Sequence, residues 1–369
     1  MSDAAEYAER FDIMGKKKTK TVNLALQGGG AHGAFAWGVL DRFLEDGRID
    51  IEGISATSAG TLNAVAYGWG AMQGGPEGAR QALEALWREV SKAGALFSPV
   101  RQWPMEKSWP GAAALSGLTF GLFSAWTRVL SPYQFNPLDF NPLRDMLCNC
   151  IDFEELVRCD CVDLFISATN VRTGQVRVFR NEEITPEVVL ASSCLPNLFQ
   201  SVEIDGEHYW DGGYMGNPSL FPLFYYTESR DIVIVHINPI ERDEIPRTAM
   251  DIENRLNEIT FNASLLKELR AIAFVVKLLE EKWIRDEYRE KLKHVLVHSV
   301  RADEAMKDLG VATKFVSNWE FLTDLRDRGR ETAERWLAEN FDCLGKRSSV
   351  DVRIEYLQRG EDRPLTRTT

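Results

Sequence analysis

Two apolar runs near the start of the chain each break into small residues and then resume at helical spacing. That repeat restricts the fold more than any other feature of the sequence. Residues 21–27 (TVNLALQ) are strand-like, Gly28, Gly29 and Gly30 break them, and residues 34–44 are apolar at helical spacing up to Asp46-Gly47. Residues 51–56 (IEGISA) repeat the strand, Thr57-Ser58-Ala59-Gly60 repeat the break, and a small-residue helix runs to Gly68. Short, continuously apolar strands alternating with helices predict a mainly parallel sheet with helices on its faces.

The pattern continues downstream. Strands are expected at 161–170, 175–179, 231–238 and 294–300, and helices at 79–93, 185–193, 249–289 and 318–340. Residues 200–210 alternate around Asp205-Gly206, a two-residue hairpin signal. Residues 96–146 differ: they are poor in charge and rich in Trp, Phe, Pro and Gly, as in Trp103, Trp109, Phe120 and Trp126. Both a second lobe of core and an apolar cap or lid for a lipid chain fit that composition. The expected organisation is an N-terminal arm (1–20), one α/β domain (21–358) with a cap-like insertion (96–146) and a mostly helical C-terminal part (249–340), and a tail (359–369).

With 369 residues and 44% hydrophobic side chains, the chain has ample material for a large core. Its net charge of −12 argues against nucleic acid as a partner and makes any membrane contact apolar rather than electrostatic. The lysines at 16–18 and 20 are a solvated lead-in to the first strand. No apolar leader precedes Leu24, so a cytoplasmic protein is expected. The uncharged stretch 108–127 is long enough to span a bilayer, but Pro110, Gly111, Gly117 and Gly121 favour a buried or interfacial element. Cys148, Cys150, Cys159 and Cys161 form two C-x-C pairs, tighter than usual zinc spacing, and free thiols are expected.

The small-residue breaks carry the chemistry. A serine on a strand-to-helix turn has its hydroxyl exposed near a helix N-terminus, as in G-x-S-x-G. Here the elbow reads Ala56-Thr57-Ser58-Ala59-Gly60, with alanine in the first glycine's place. The plain alternative for Ser58 is a helix cap. Gly28, Gly29, Gly30 and Gly33 permit the close backbone approach that an oxyanion needs. The same loop fits G-x-G-x-x-G, the dinucleotide fingerprint, but that pattern wants an acid at the end of the next strand, where this chain has Ser58. A base must come from elsewhere. His236 would serve a Ser-His-Asp esterase, although it lies in a strand expected to be buried. Asp211, between Trp210 and Gly212-Gly213, is the better candidate, with a simple turn aspartate as its alternative.

In this order, residues 28–33 (GGGAHG), 57–60 (TSAG), 192–196 (SSCLP) and 211–213 (DGG) resemble the patatin-like phospholipase family over roughly residues 22–217. The resemblance implies a three-layer α/β/α fold and a Ser–Asp dyad, with Ser58 as nucleophile and Asp211 as its base. It implies an oxyanion hole from Gly28, Gly29, Gly30, Ala31, His32 and Gly33, and no metal or organic cofactor. His32 stands where many members carry Arg or Lys, which leaves it as a modest pH-sensitive contributor. The expected substrate is a phospholipid, lysophospholipid or other acyl ester, with transient apolar contact at a membrane surface.

Overall fold

A computed structural model describes residues 19–97, 129–242, 244–289, 291–307 and 309–355. The lysines at 16–18, the stretch 108–127, most of the expected insertion and the tail lie outside the described residues.

Among the described residues, eight strands form one sheet: β1 (Lys20–Leu26), β2 (Ile49–Ala56), β3 (Asp163–Asn170), β4 (Val176–Arg180), β5 (Val202–Ile204), β6 (Glu207–Asp211), β7 (Asp231–His236) and β8 (Leu296–Arg301). Their order is β5-β6-β3-β2-β1-β7-β8, with β4 also paired to β3. The pairings β1–β2, β2–β3, β1–β7 and β7–β8 are parallel; β4 and β6 run antiparallel to β3, and β5 runs antiparallel to β6. Asp205 and Gly206, both at positive φ, close the β5–β6 hairpin.

Side chains alternate across a strand, so a sheet covered on both faces needs apolar residues at odd and even positions. In β1, Val22, Leu24 and Leu26 enter one core while Ala25 enters the other; in β7, Val233 and Val235 oppose Ile232 and Ile234. The first core is closed by helices α1 (Gly33–Asp46), α2 (Ala59–Phe97) and, much later in the chain, α6 (Trp319–Asn340), through Phe35, Trp37, Leu83, Trp87, Leu325 and Trp336. The second is closed by the long helix α5 (Ala249–Glu280) through Leu265, Leu269 and Val276. The result is the three-layer α/β/α arrangement with a mainly parallel central sheet.

Two smaller helices complete the frame, α3 (Pro142–Cys150) and α4 (Pro186–Ser192), each with proline in its first turn and a side-chain cap from Asn141 or Thr185. Some boundaries differ from expectation. The two helices expected at 58–68 and 79–93 lie within one span, α2, broken at Gly74-Gly75, where both residues leave helical φ/ψ and Pro76 starts the second limb. The helix expected over 249–289 stops at Glu280, and Asp286–Arg289 form a separate turn of helix.

Candidate active site

The register of β3 brings two distant segments to one place. Ala56, the last residue of β2, lies opposite Ile166. Beyond it β6 takes over the same edge of β3, with Asp211 opposite Ala168. The other edge of β3 is occupied by β4. The chain leaving β2 at Thr57-Ser58 therefore turns directly past the end of β6, where Asp211 leads into Gly212.

Ser58 occupies left-handed backbone space at φ 54°, a strained conformation for a residue with a side chain. Its carbonyl accepts the amides of Thr61 and Leu62, so its backbone opens α2. Its own amide donates to Ser192 Oγ at 2.9 Å, and Thr61 Oγ1 lies 2.9 Å from the same oxygen. Thr57 Oγ1 donates to the Gly216 carbonyl at 2.6 Å. The elbow is thus tied to the 192–196 motif and to Gly216, just beyond the 211–213 motif. Gly60 is required by proximity, because a Cβ there would run into the Leu26 carbonyl.

Asp211 is fully buried. Its amide donates to the Cys194 carbonyl at 2.8 Å, and its Oδ1 accepts the Gly213 amide at 2.7 Å. Burial pushes the carboxyl up to about 6; the Gly213 amide, the nearby Ser58 hydroxyl and the Lys314 charge pull the other way. The Ser58 hydroxyl is near enough to act on that equilibrium, yet no hydrogen bond of full geometry closes onto Oδ2, which is buried without a partner. Cys194 and Tyr214 are both pushed up to about 12 by burial first and by the Asp211 charge second.

Ser58 and Asp211 line one cavity of about 330 Å³ together with Gly29, Gly30 and Ala31. Its wall is mostly apolar, from Leu62 and Val90 of α2, Leu143 and Met146 of α3, and Leu195, Phe199 and Phe261. The volume falls at the lower end of small-molecule pockets, roughly 300–1,000 Å³.

The glycine loop divides in its hydrogen bonding. The Gly28 amide donates to Asn217 Oδ1 at 2.7 Å, the His32 amide to the Gly29 carbonyl at 3.3 Å, and the Gly33 amide back to Ala31 and Gly30. The amides of Gly29, Gly30 and Ala31 have no partner among the described residues, and those are the three loop residues on the cavity. The amides of Gly28, His32 and Gly33 are each taken up by a partner.

The two histidines weighed in the sequence lie away from the cavity. The His32 ring turns away from the cavity and sits 2.8 Å from Thr313 Oγ1. Burial first, then the Lys314 and Arg242 charges, lower it to about 3, so it is neutral and does not act as a pH-sensitive group near neutrality. His236 is buried in β7, where Nε2 lies 3.2 Å from Ser299 Oγ, and it does not line the cavity. That placement matches the buried strand position expected for it.

Several supporting residues carried little or no signal in the sequence. Gln27 Oε1 accepts the amides of Ile237 and Asn238, and Asn238 Nδ2 donates to the Gly28 carbonyl at 2.8 Å. Asn217 lies four residues beyond Gly213, at the end of the stretch that carries the sequence motifs. Lys314 lines the cavity too, but nothing distinguishes it locally among 43 lysines and arginines. All six cysteines are free thiols, with the sulphurs of Cys159 and Cys161 2.7 Å apart. Among the described residues, no helix is long and apolar enough to cross a membrane.

The family model described as Patatin-like phospholipase matches residues 24–224. No curated protein matches the chain. Among solved structures, VipD from Legionella pneumophila aligns at 16% identity and a TM-score of 0.39, covering 86% of this chain and 66% of its own. The ExoU-SpcU complex from the type III secretion system of Pseudomonas aeruginosa aligns at 17% identity and a TM-score of 0.30, covering 89% and 61%. The chain thus spans less than two-thirds of the length of either solved chain.

Proposed function

The chain belongs to the patatin-like phospholipase family, and from that premise we propose that it hydrolyses a carboxylic ester of a lipid through Ser58 and Asp211. The observation that carries this reading is the meeting of Ser58, Asp211 and the uncommitted amides of Gly29, Gly30 and Ala31 on one apolar cavity.

Asp211 takes the proton of the Ser58 hydroxyl as Oγ attacks the ester carbonyl. A bare serine hydroxyl is too weak a nucleophile without such a base. The carbonyl oxygen becomes an oxyanion, and the amides of Gly29, Gly30 and Ala31 point donors at it; one such donor is commonly worth about 3–4 kcal/mol in the transition state. As the tetrahedral intermediate collapses, the ester C–O bond breaks and the proton on Asp211 passes to the leaving alcohol. Water then attacks the acyl-enzyme, giving its proton to Asp211; the bond from Ser58 Oγ to the acyl carbon breaks, that proton passes to Oγ, and the free acid leaves. A carboxyl held near 6 is an anion at neutral pH and still basic enough to share a proton. The acyl chain lies along Leu62, Leu143, Met146 and Phe199.

The test is hydrolysis of p-nitrophenyl acyl esters together with labelling by a fluorophosphonate. Ser58→Ala loses both labelling and turnover. Asp211→Asn lowers kcat by roughly a thousand-fold or more. The wild-type rate falls on the acid side with a midpoint near 6. Turnover surviving in a folded Ser58→Ala protein would falsify the assignment.

A further inference from the structure

We propose that Lys314, outside the segment matched by the family model, is a positioning residue of this site: its ammonium anchors the glycine loop through Asn238 and places a positive charge on the cavity that Asp211 lines. The proposal rests on the Ser58–Asp211 reading and adds a third group to it.

Lys314 lies in the 3-10 turn Val311–Phe315 and shares the cavity with Ser58 and Asp211. Its Nζ donates to Asn238 Oδ1 at 2.8 Å and to Asn257 Oδ1 at 2.9 Å. Asn238 in turn donates to the Gly28 carbonyl at 2.8 Å, so one side chain separates the ammonium from the loop. The backbone of Lys314 also meets the loop directly: a Cβ on Gly30 would come within 2.5 Å of the Lys314 carbonyl oxygen. The ammonium stands 5.5 Å from the centre of the Phe261 ring, a wall of the cavity.

Both acceptors of the ammonium are neutral amides. The nearby carboxylate of Glu258 is engaged by Arg242 at 2.7 Å and Arg255 at 3.0 Å. The Lys314 charge is therefore not cancelled by a close ion pair among the described residues, and in a poorly solvated cavity it acts at longer range than at a surface. It favours the ionised form of Asp211, and Asp211 reciprocally favours charged Lys314. The other groups acting on Lys314 are Glu258, which supports its charge, and Arg242, which opposes it; burial brings it down to about 8. On Asp211 the other groups are Ser58, Gly213, Cys194 and Tyr214. His32, beside Lys314, is neutral and contributes no charge.

The experiment uses the full chain and a short neutral p-nitrophenyl ester, with kcat and KM measured from pH 5 to 9. Rates are normalised to the fraction of serine labelled by a fluorophosphonate, which removes misfolded protein from the comparison. Lys314→Met lowers kcat by ~10-fold or more with little change in KM, and moves the acid limb to higher pH. Lys314→Arg restores most of the rate and loses the alkaline limb that lysine produces near 8, because guanidinium keeps its charge. A purely structural lysine lowers the labelled fraction and leaves both limbs in place. A Lys314→Met enzyme with wild-type limbs, beside an inactive Ser58→Ala, overturns this proposal alone. Activity in Ser58→Ala overturns the site reading and this proposal with it.

Discussion

Asp211, the proposed base, sets stability against the proposed chemistry. Its carboxyl is raised from 3.8 to about 6 by burial, so the folded protein holds a proton that the unfolded chain has already released between those values. Stability therefore falls as pH rises through that window, and the deficit persists above it. Asp211→Asn removes the buried charge while keeping the Oδ1 acceptor for Gly213. At pH 7.5 it should be more stable than the wild type by up to about 3 kcal/mol. At pH 4 and below the difference should vanish. Thermal melts at the two pH values check this, and an equal shift at both would mean that the carboxylate is not the source. An inactive variant that is more stable is the usual sign of a strained functional group. Ser58 at φ 54° is the second such group. Both residues were legible in the sequence, because a serine after a strand and an aspartate before paired glycines are local patterns. The direction of the His32 ring was not legible, since a glycine loop leaves the side chain of its one large residue free to point either way.

Among the elements, the pair α1 and α6 shows the tightest dependence on sequence. Gly38 of α1 and Gly329 of α6 face each other. A Cβ on Gly38 would run into the Arg326 carbonyl, and one on Gly329 into the Phe35 carbonyl. Helices approach that closely only where no side chain separates their backbones. Gly38→Ala should destabilise the protein by about 3 kcal/mol, read as a lower urea midpoint at unchanged slope. The gain in helix propensity, under about 1 kcal/mol, does not offset the overlap. Both helices were expected from apolar periodicity, yet their contact was not, because a glycine within a helical pattern reads as a weakness until the partner helix is in place. The break in α2 at Gly74-Gly75 falls in the gap expected between two helices; what the local sequence did not show is that each limb runs on to meet the other there.

For the whole molecule, the decisive fact is that the segment matched by the family model, 24–224, does not close its own sheet. Strand β1 pairs on one side with β7, α5 covers the second core, and α6 covers α1. A fragment of residues 19–224 should show no cooperative thermal transition and should bind a hydrophobic dye, whereas the full chain melts in a single step. A cooperative melt of the fragment would show that the later elements are additions to a finished domain. By itself the sequence determined the strand–turn–helix units, the Asp205-Gly206 hairpin, the serine elbow and the alternation that makes the sheet two-faced. These depend on backbone preferences and side-chain periodicity over a few residues. Only the tertiary structure decided that β3 delivers Ser58 and Asp211 to one cavity, that Gly29, Gly30 and Ala31 keep their amides uncommitted, and that Lys314 arrives beside them. Those are matters of strand order and register between segments more than a hundred residues apart, where nothing local in the chain records which partner will be met.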